Sequence, residues 1–178
     1  MKSYKKNVLI IVPFLVIFIC LYGWLLNKQK LYGNEVEDIQ YTIMVKTGIK
    51  SNITVFDIKD IDYYRITGFI NGDYDNDKMG YVVFKKEYPD NYIFEYIHVT
   101  DQSGDGIEVD FLNLGENNYS IVIANNTEFA QIKRVIAGVG TDIVKISHNP
   151  SLTLMQEPIH RNTSIAYYFY DEDGNEVE

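Results

Sequence analysis

The segment DQSGDGIEVDFL, residues 101–112, carries residue types that bind calcium in loops. Oxygen-bearing side chains occupy its first, third and fifth positions, and a glycine follows: Asp101, Ser103, Asp105 and Gly106. A calcium loop of the EF-hand kind begins in this way and ends with a bidentate Glu at position 12. Leu112 holds that position, so Glu108 or Asp110 would have to supply the last carboxylate. Because Asp, Ser and Gly also favour tight turns, the segment predicts a hairpin turn, with a weak calcium site as the alternative.

A second acidic stretch, NGDYDNDKMG at residues 71–80, has aspartates at alternate positions: Asp73, Asp75 and Asp77. Counted from the first of these, the glycine position of an EF-hand loop holds Lys78, and the position of its bidentate Glu holds Phe84. The stretch therefore predicts the tip of a hairpin between two strands, because Asn, Gly and Asp adopt turn conformations readily.

The spacing of the remaining titratable residues predicts no catalytic residue and no cofactor site. The three histidines stand at positions 98, 148 and 160, without the H-x-x-x-H or H-E-x-x-H spacing of helical metal sites. The single cysteine, Cys20, lies within an apolar run. The enzymatic alternative is a hydrolase of cell-envelope polymer with dispersed carboxylates, which would have to meet in a pocket about 5–10 Å apart. Its candidate acids are Glu95, Glu108 and Asp110.

Apolar and polar side chains alternate with a period of two through most of the chain after residue 40. This alternation, rich in β-branched and aromatic residues, is typical of strands. Predicted strands cover residues 41–49, 62–70, 80–86, 92–100, 107–112, 119–124, 142–147 and 164–171. Short linkers of Gly, Asn and Asp between them predict hairpins. The pattern predicts an all-β domain, an antiparallel β-sandwich or a barrel-like fold.

The segment NNTEFAQIKRVIAG, residues 125–138, fits two structures. A helix could begin at Asn126 or Thr127 and end at Gly138, with an apolar stripe on one side. A bend at NNTE could instead precede a strand, QIKRVIAG, in which Ile132 and Ile136 alternate with polar residues. We favour the strand because the surrounding segments are predicted strands.

Residues 8–26, VLIIVPFLVIFICLYGWLL, form an apolar run of 19 residues without a charge. As a helix the run would span about 28 Å, close to the ~30 Å hydrocarbon core of a bilayer. A cleaved signal peptide would have a shorter apolar core and small residues at the cut, and neither is present. We therefore predict a retained single-pass signal anchor that contacts the lipid bilayer.

Charge predicts on which side of the membrane the domain lies. Lys2, Lys5, Lys6 and the terminal amine precede the run, whereas Lys28 and Lys30 follow it, which favours an N-terminus inside the cell. All 25 acidic residues lie beyond residue 30, against 11 Lys and Arg, so that part has a formal charge of −14. Such a charge predicts no binding to nucleic acid, and the absence of cysteine there excludes disulfides.

The predicted organisation is a cytoplasmic N-terminus at 1–7, a transmembrane helix at 8–26, a linker at 27–40 and an extracytoplasmic β domain at 41–178. With its KKNVLIIVPFLVIFIC anchor, Cys-free β domain and closing YYFYDEDGNEVE, the chain resembles small single-pass envelope proteins of low-GC Gram-positive bacteria. That resemblance implies a location in the cell membrane and no activity. We expect a binding or scaffold module whose partner is another envelope protein or a cell-wall polymer, with no cofactor.

Overall fold

The computed structural model describes residues 13, 15–23, 30–50, 52–72, 78–87, 90–101, 106–158 and 164–177. Within them the chain is mostly antiparallel β-sheet, which confirms the all-β prediction. Residues 15–23 form helix α1, and Val36–Thr47 form helix α2. The strands of the described part are β1 (Ile53–Ile61), β2 (Tyr64–Asn71), β3 (Lys78–Glu87), β4 (Asn91–Asp101), β5 (Ile107–Leu114), β6 (Asn117–Ala124), β7 (Gln131–Ile136), β8 (Gly140–Lys145), β9 (Ser151–Gln156), β10 (Ile165–Tyr170) and β11 (Glu176–Val177).

The strands form three antiparallel sheets. Sheet 1 has the order β1-β2-β3-β4, sheet 2 the order β5-β6-β9, and sheet 3 the order β11-β10-β7-β8. Short turns join neighbouring strands, as the Gly- and Asn-rich linkers predict; Gly115, between β5 and β6, has a φ of +66° that suits glycine. The segment 125–138 is a bend followed by β7, which confirms the strand interpretation.

Sheet 2 is the middle layer because its strands are apolar on both faces. In β6, Ile121 and Ile123 pack in the core shared with sheet 1, whereas Val122 packs in the core shared with sheet 3. A strand buried on both faces has a nearly continuous apolar sequence, and YSIVIA has that character. The larger core, between sheets 1 and 2, has ten buried members: Ile66, Met79, Tyr81, Val83, Leu112, Leu114, Tyr119, Ile121, Ile123 and Leu152.

Helix α2 covers the other face of sheet 1, and the prediction of a strand at 41–49 is wrong. Ile39 and Ile43 lie four residues apart, on one side of a helix, and are fully buried against the sheet. Burial of each of these side chains contributes about 2 kcal/mol to the stability of the fold. Gly48 ends the helix with a φ of +77°, and its N–H donates to the Met44 carbonyl. The strand prediction failed because the apolar residues Tyr41, Ile43 and Val45 stand at every second position, which is the spacing expected of a strand.

The described part of the predicted linker, residues 30–40, is attached to sheet 1 and contains the start of α2. Tyr32 pairs with Ile93 of β4, and the Gly33 N–H donates to the Tyr92 carbonyl at 2.9 Å. A Cβ at Gly33 would lie 2.5 Å from the Phe84 ring, so only glycine allows this close approach. Residues 30–33 therefore belong to the domain and cover part of the β4 edge.

The predicted transmembrane run is described only in part. Residues 8–12, 14 and 24–26 lie outside the described residues. In the part of the chain that the structure describes, neither helix has the length and hydropathy that a membrane crossing requires. The anchor therefore stays a prediction.

Candidate functional site

Two of the four candidate calcium ligands, Ser103 and Asp105, lie outside the described residues, as do residues 73–77 of the acidic stretch at 71–80. The strands that flank the stretch at 71–80 pair with each other, with Asn71 opposite Lys78, which confirms the hairpin. Asp101 lies at the end of β4, 3.7 Å from the Lys78 ammonium. No group of three His, Cys, Asp or Glu side chains among the described residues is arranged to hold a metal ion. The calcium alternative stays a prediction.

Glu108 and Asp110 meet His98 where the edge strands β4 and β5 close the core between sheets 1 and 2. The distance from His98 Nε2 to Glu108 Oε1 is 3.3 Å, and that from His98 Nδ1 to Asp110 Oδ2 is 3.4 Å. All three side chains are about one third exposed or less. We call His98, Glu108 and Asp110 the seam. The imidazole of His98 therefore lies between the two carboxylates, and the seam joins sheet 1 to sheet 2 through polar contacts.

Two tyrosines extend the seam into the core. Tyr81 Oη donates to Asp110 Oδ2 at 2.5 Å and lies 3.0 Å from Tyr96 Oη. The Tyr81 ring stacks on His98 with 5.3 Å between ring centroids. Burial raises the pKa of Tyr81, and the hydrogen bond to Asp110 raises it further. Burial also raises the pKa of Tyr96. Both phenols therefore remain protonated donors near neutral pH.

The seam does not have the arrangement expected of a hydrolytic acid pair. Both carboxylates contact the same imidazole, and neither acid lines the cavities beside Arg134, beside Tyr41 or beside Phe129. Glu95, the third predicted acid, is exposed at a bulge in β4 and is not brought to the seam. The hydrolase alternative stays a prediction.

A hydroxyl, an imidazole and a carboxylate form a second chain of hydrogen bonds. Ser147 Oγ lies 2.9 Å from His148 Nδ1, and His148 Nε2 lies 3.0 Å from Asp57 Oδ1. This order occurs in activated serine nucleophiles, although Ser147 and His148 are both exposed here. The other oxygen of Asp57 accepts the Leu152 N–H at 2.7 Å. Asp57 therefore ties β9 and its preceding loop to β1, which is a structural role.

A third polar cluster lies between sheets 2 and 3 around Arg134, whose side chain is 6% exposed. Its Nη1 donates to Glu157 Oε1 at 3.1 Å and to the Gln156 carbonyl at 3.0 Å, and its Nε donates to Asp142 Oδ2 at 3.2 Å. The Tyr167 hydroxyl bonds to Ser120 Oγ, which bonds to Glu157. Asp142 lies at the rim, with its side chain 52% exposed. We call these five side chains the buried cluster: Ser120, Arg134, Asp142, Glu157 and Tyr167.

Within the buried cluster the Arg134 guanidinium pairs with two carboxylates, those of Asp142 and Glu157. Burial alone would lower the pKa of Arg134, but the hydrogen bond to Asp142 and the charge of Glu157 outweigh it and raise the pKa. Burial raises the pKa of Tyr167. Sequence reasoning missed this cluster, although one signal was present. In the strand QIKRVI, Arg134 lies on the same inward face as Ile132 and Ile136.

Strand β8 leaves one edge of sheet 3 open. It pairs with β7 on one side, and no segment of the described chain pairs with its other side. Every β8 residue except Val144 is exposed, and Ile143 is 62% exposed. A cavity of about 470 Å³ beside this strand is lined by residues that include Val139 and Thr141. The β8 edge therefore presents accessible backbone donors and acceptors, and some of the exposed side chains beside them are apolar.

Comparison of the chain with protein-family models, with curated proteins and with solved structures found no match. The resemblance to small envelope proteins therefore stays a prediction, and function has to be argued from sequence and geometry.

Proposed function

We propose that the protein is a membrane-anchored extracytoplasmic binding module of the cell envelope. Its domain would be an antiparallel β-sandwich behind one transmembrane helix at residues 8–26. Face-to-face packing of sheets 1 and 2 supports the sandwich. The apolar side chains of α1 support the anchor because they stand uncovered, with Phe18 69% exposed. A helix that exposes apolar side chains in this way requires a non-aqueous cover, which a bilayer provides.

Charge supports the proposed orientation. The N-terminus carries Lys2, Lys5 and Lys6, and the part beyond residue 30 has a formal charge of −14. Lysines accumulate on the cytoplasmic side of membrane helices, so the acidic domain would lie outside the cell.

Impermeant thiol labelling tests this location. In a Cys20→Ala background, Asp101→Cys should react with a membrane-impermeant maleimide on intact protoplasts. The matched control, Ser3→Cys, should react only after the membrane is permeabilised. The reverse pattern would refute the orientation, and recovery of both variants in the soluble fraction would refute the anchor.

The open edge of β8 is the observation that supports a binding role. An exposed edge strand with apolar side chains can accept an extended segment of another chain as a further strand. Ile143 would pack beside an apolar side chain of that segment, and Lys145 at the end of the strand would favour an acidic one. The proposed partner is therefore an envelope protein with an extended segment of apolar and acidic residues.

Site-specific photo-cross-linking in intact cells tests this edge. A photoreactive side chain at position 141 should give one discrete adduct, and Ile143→Lys in the same chain should abolish it because a charge opposes strand addition. Phe111, on the β5 edge strand, is also 62% exposed and provides the matched probe position. An adduct of equal yield at 111, an adduct insensitive to Ile143→Lys, or no adduct at 141 would overturn the assignment.

A further inference from the structure

Helix α2 is apolar on two opposite sides. Its inward side buries Ile39 and Ile43 against sheet 1. Its outward side exposes Tyr41, Met44 and Val45, with Tyr41 57% exposed. We call these three residues the outer face. Glu37, four residues before Tyr41, lies on the same side of the helix. A surface helix ordinarily has mainly polar residues opposite its buried stripe, so three apolar side chains beside one acid have the composition of a partly covered surface.

The chain itself limits how far this helix can lie from the proposed anchor. Residues 27–30 alone separate the end of the apolar run at Leu26 from Leu31. The Leu31 carbonyl accepts the Phe94 N–H at 2.9 Å, which fixes this point on β4. Five consecutive Cα steps span at most about 18 Å. The edge of sheet 1 beside α2 therefore lies within about 18 Å of the end of the run.

The position of α2 in the fold leaves its outer face unobstructed. The helix packs on the face of sheet 1 opposite sheet 2, so it is the outermost layer on that side. Sheets stack about 10 Å apart, and sheets 2 and 3 lie beyond sheet 1 on the other side. A surface that approaches from that side therefore meets α2 before it meets any of the three sheets.

The chemistry of the outer face fits the interfacial region of a bilayer. Tyrosine favours that region, and long lysine side chains can reach headgroups while their stems stay in apolar surroundings. Lys46 lies in the last turn, and its Nζ is 4.3 Å from the Phe94 ring centroid, so it packs on sheet 1. Lys50 follows the helix, whereas Glu35, Glu37 and Asp38 lie at its N-terminal end. Acids outnumber lysines here, so contact would depend on apolar burial and not on anionic lipid.

From the apolar outer face and the short connection we infer that α2 lies on the surface of the bilayer that holds the chain, with Tyr41, Met44 and Val45 in the headgroup region. This inference rests on the proposed anchor. It places β8 on the far side of the domain, about three layers of 10 Å from the lipid, where a partner can reach it.

The test uses the full chain with Cys20→Ala, reconstituted in phosphatidylcholine vesicles with and without phosphatidylglycerol. An environment-sensitive fluorophore is attached at Met44→Cys or, as a second position, at Tyr41→Cys. Ile143→Cys is the control on the far side of the domain, and Tyr63→Cys reports the turn between β1 and β2. Spin-labelled lipids in the bilayer then quench whichever fluorophore lies at its surface.

We expect quenching at positions 44 and 41 to exceed that at 143 at least threefold, with either lipid composition. Equal quenching at all positions, or strong quenching at 63 alone, overturns the inference while the chain still floats with the vesicles. Failure of the chain to float with vesicles refutes the anchor itself, so the two proposals fail in distinguishable ways.

Discussion

The two faces of sheet 2 are buried in different ways. Toward sheet 1 the interface is an apolar core, and its acidic side chains lie in the seam at its rim, which is about one third exposed. Toward sheet 3 the apolar cluster is small, with Val122, Ile132 and Met155 as its buried members. The buried cluster around Arg134 occupies the space beside it. One interface therefore depends on packing, and the other depends on ion pairs and hydrogen bonds around Arg134. Among the described residues, the second carboxylate oxygen of Glu157, Oε2, is buried without a hydrogen-bond partner.

The difference determines how each interface tolerates change. An apolar core loses stability in proportion to the atoms removed and the cavity left. A buried ion pair contributes little net stability, but removal of one partner leaves an uncompensated charge. The interface between sheets 2 and 3 should thus be the more sensitive to single substitutions and the more tolerant of paired ones.

The largest effect is expected for Arg134→Met. The substitution leaves Glu157 buried without its charge partner, and the free energy of unfolding should fall by about 3–5 kcal/mol. Urea denaturation of the full chain in detergent micelles, followed by circular dichroism, measures this loss. The double variant Arg134→Met/Glu157→Leu should recover much of it. A loss below about 1 kcal/mol for the single variant would show that the cluster is not effectively buried.

The next effect is expected for Ile123→Ala, on the apolar face of sheet 2. Ile123 is fully buried, and its truncation should cost about 3 kcal/mol. Ile123→Val, the conservative control, should cost about 1 kcal/mol. When Ile123→Ala is combined with Arg134→Met, the two losses of unfolding free energy should add to within about 0.5 kcal/mol, because the two side chains lie on opposite sides of sheet 2. Strong non-additivity would show that the two interfaces do not act independently.

Alkaline pH should weaken the domain through its buried tyrosines. An exposed tyrosine in the unfolded chain ionises near pH 10, whereas the folded-state pKa of Tyr81 is higher. Its contribution is therefore complete below about pH 10 and is lost as pH rises toward the folded-state pKa. Tyr81→Phe should cost about 1 kcal/mol at neutral pH and should reduce the alkaline loss. Urea midpoints across this pH range measure both effects, and an unchanged alkaline slope in Tyr81→Phe would contradict the assignment.

The smallest effect is expected at the seam. Glu108→Gln removes a charge that is partly screened by water, so the loss should be below about 1 kcal/mol. Added salt should reduce the difference between this variant and the original chain, because exposed pairs are screened. Urea denaturation at low and high salt provides the measurement. A loss above about 3 kcal/mol would place the seam in the same class as the buried cluster.

Sequence periodicity predicted most of the strands but misassigned one segment and missed others. Residues 41–49 alternate well enough for a strand, yet Glu37, Asp38 and Gly48 carry the start and stop signals of a helix that includes most of them. Strand β1 was missed because Asp57, Lys59 and Asp60 interrupt its apolar pattern. Its position at an edge of sheet 1 allows these charges.

The candidate sites were less predictable than the strands. Glu108 and Asp110 were identified as acids two residues apart, but nothing in their spacing indicated that both contact His98. The buried cluster joins residues 120, 134, 142, 157 and 167, which belong to four strands and one adjoining loop. Local patterns report which face of its own strand a side chain occupies. They do not report which strand faces it across the core.

Sequence alone determined that the domain is all-β, lacks disulfides and is acidic, because alternation, cysteine content and charge are local or additive properties. Only the tertiary structure decided that sheet 2 is the middle layer and that β8 is an open edge. The same is true of the close approach of Gly33 to Phe84. These features follow from pairing and stacking between residues far apart in the chain. A period of two constrains the face of each side chain but leaves the order of strands and the stacking of sheets open.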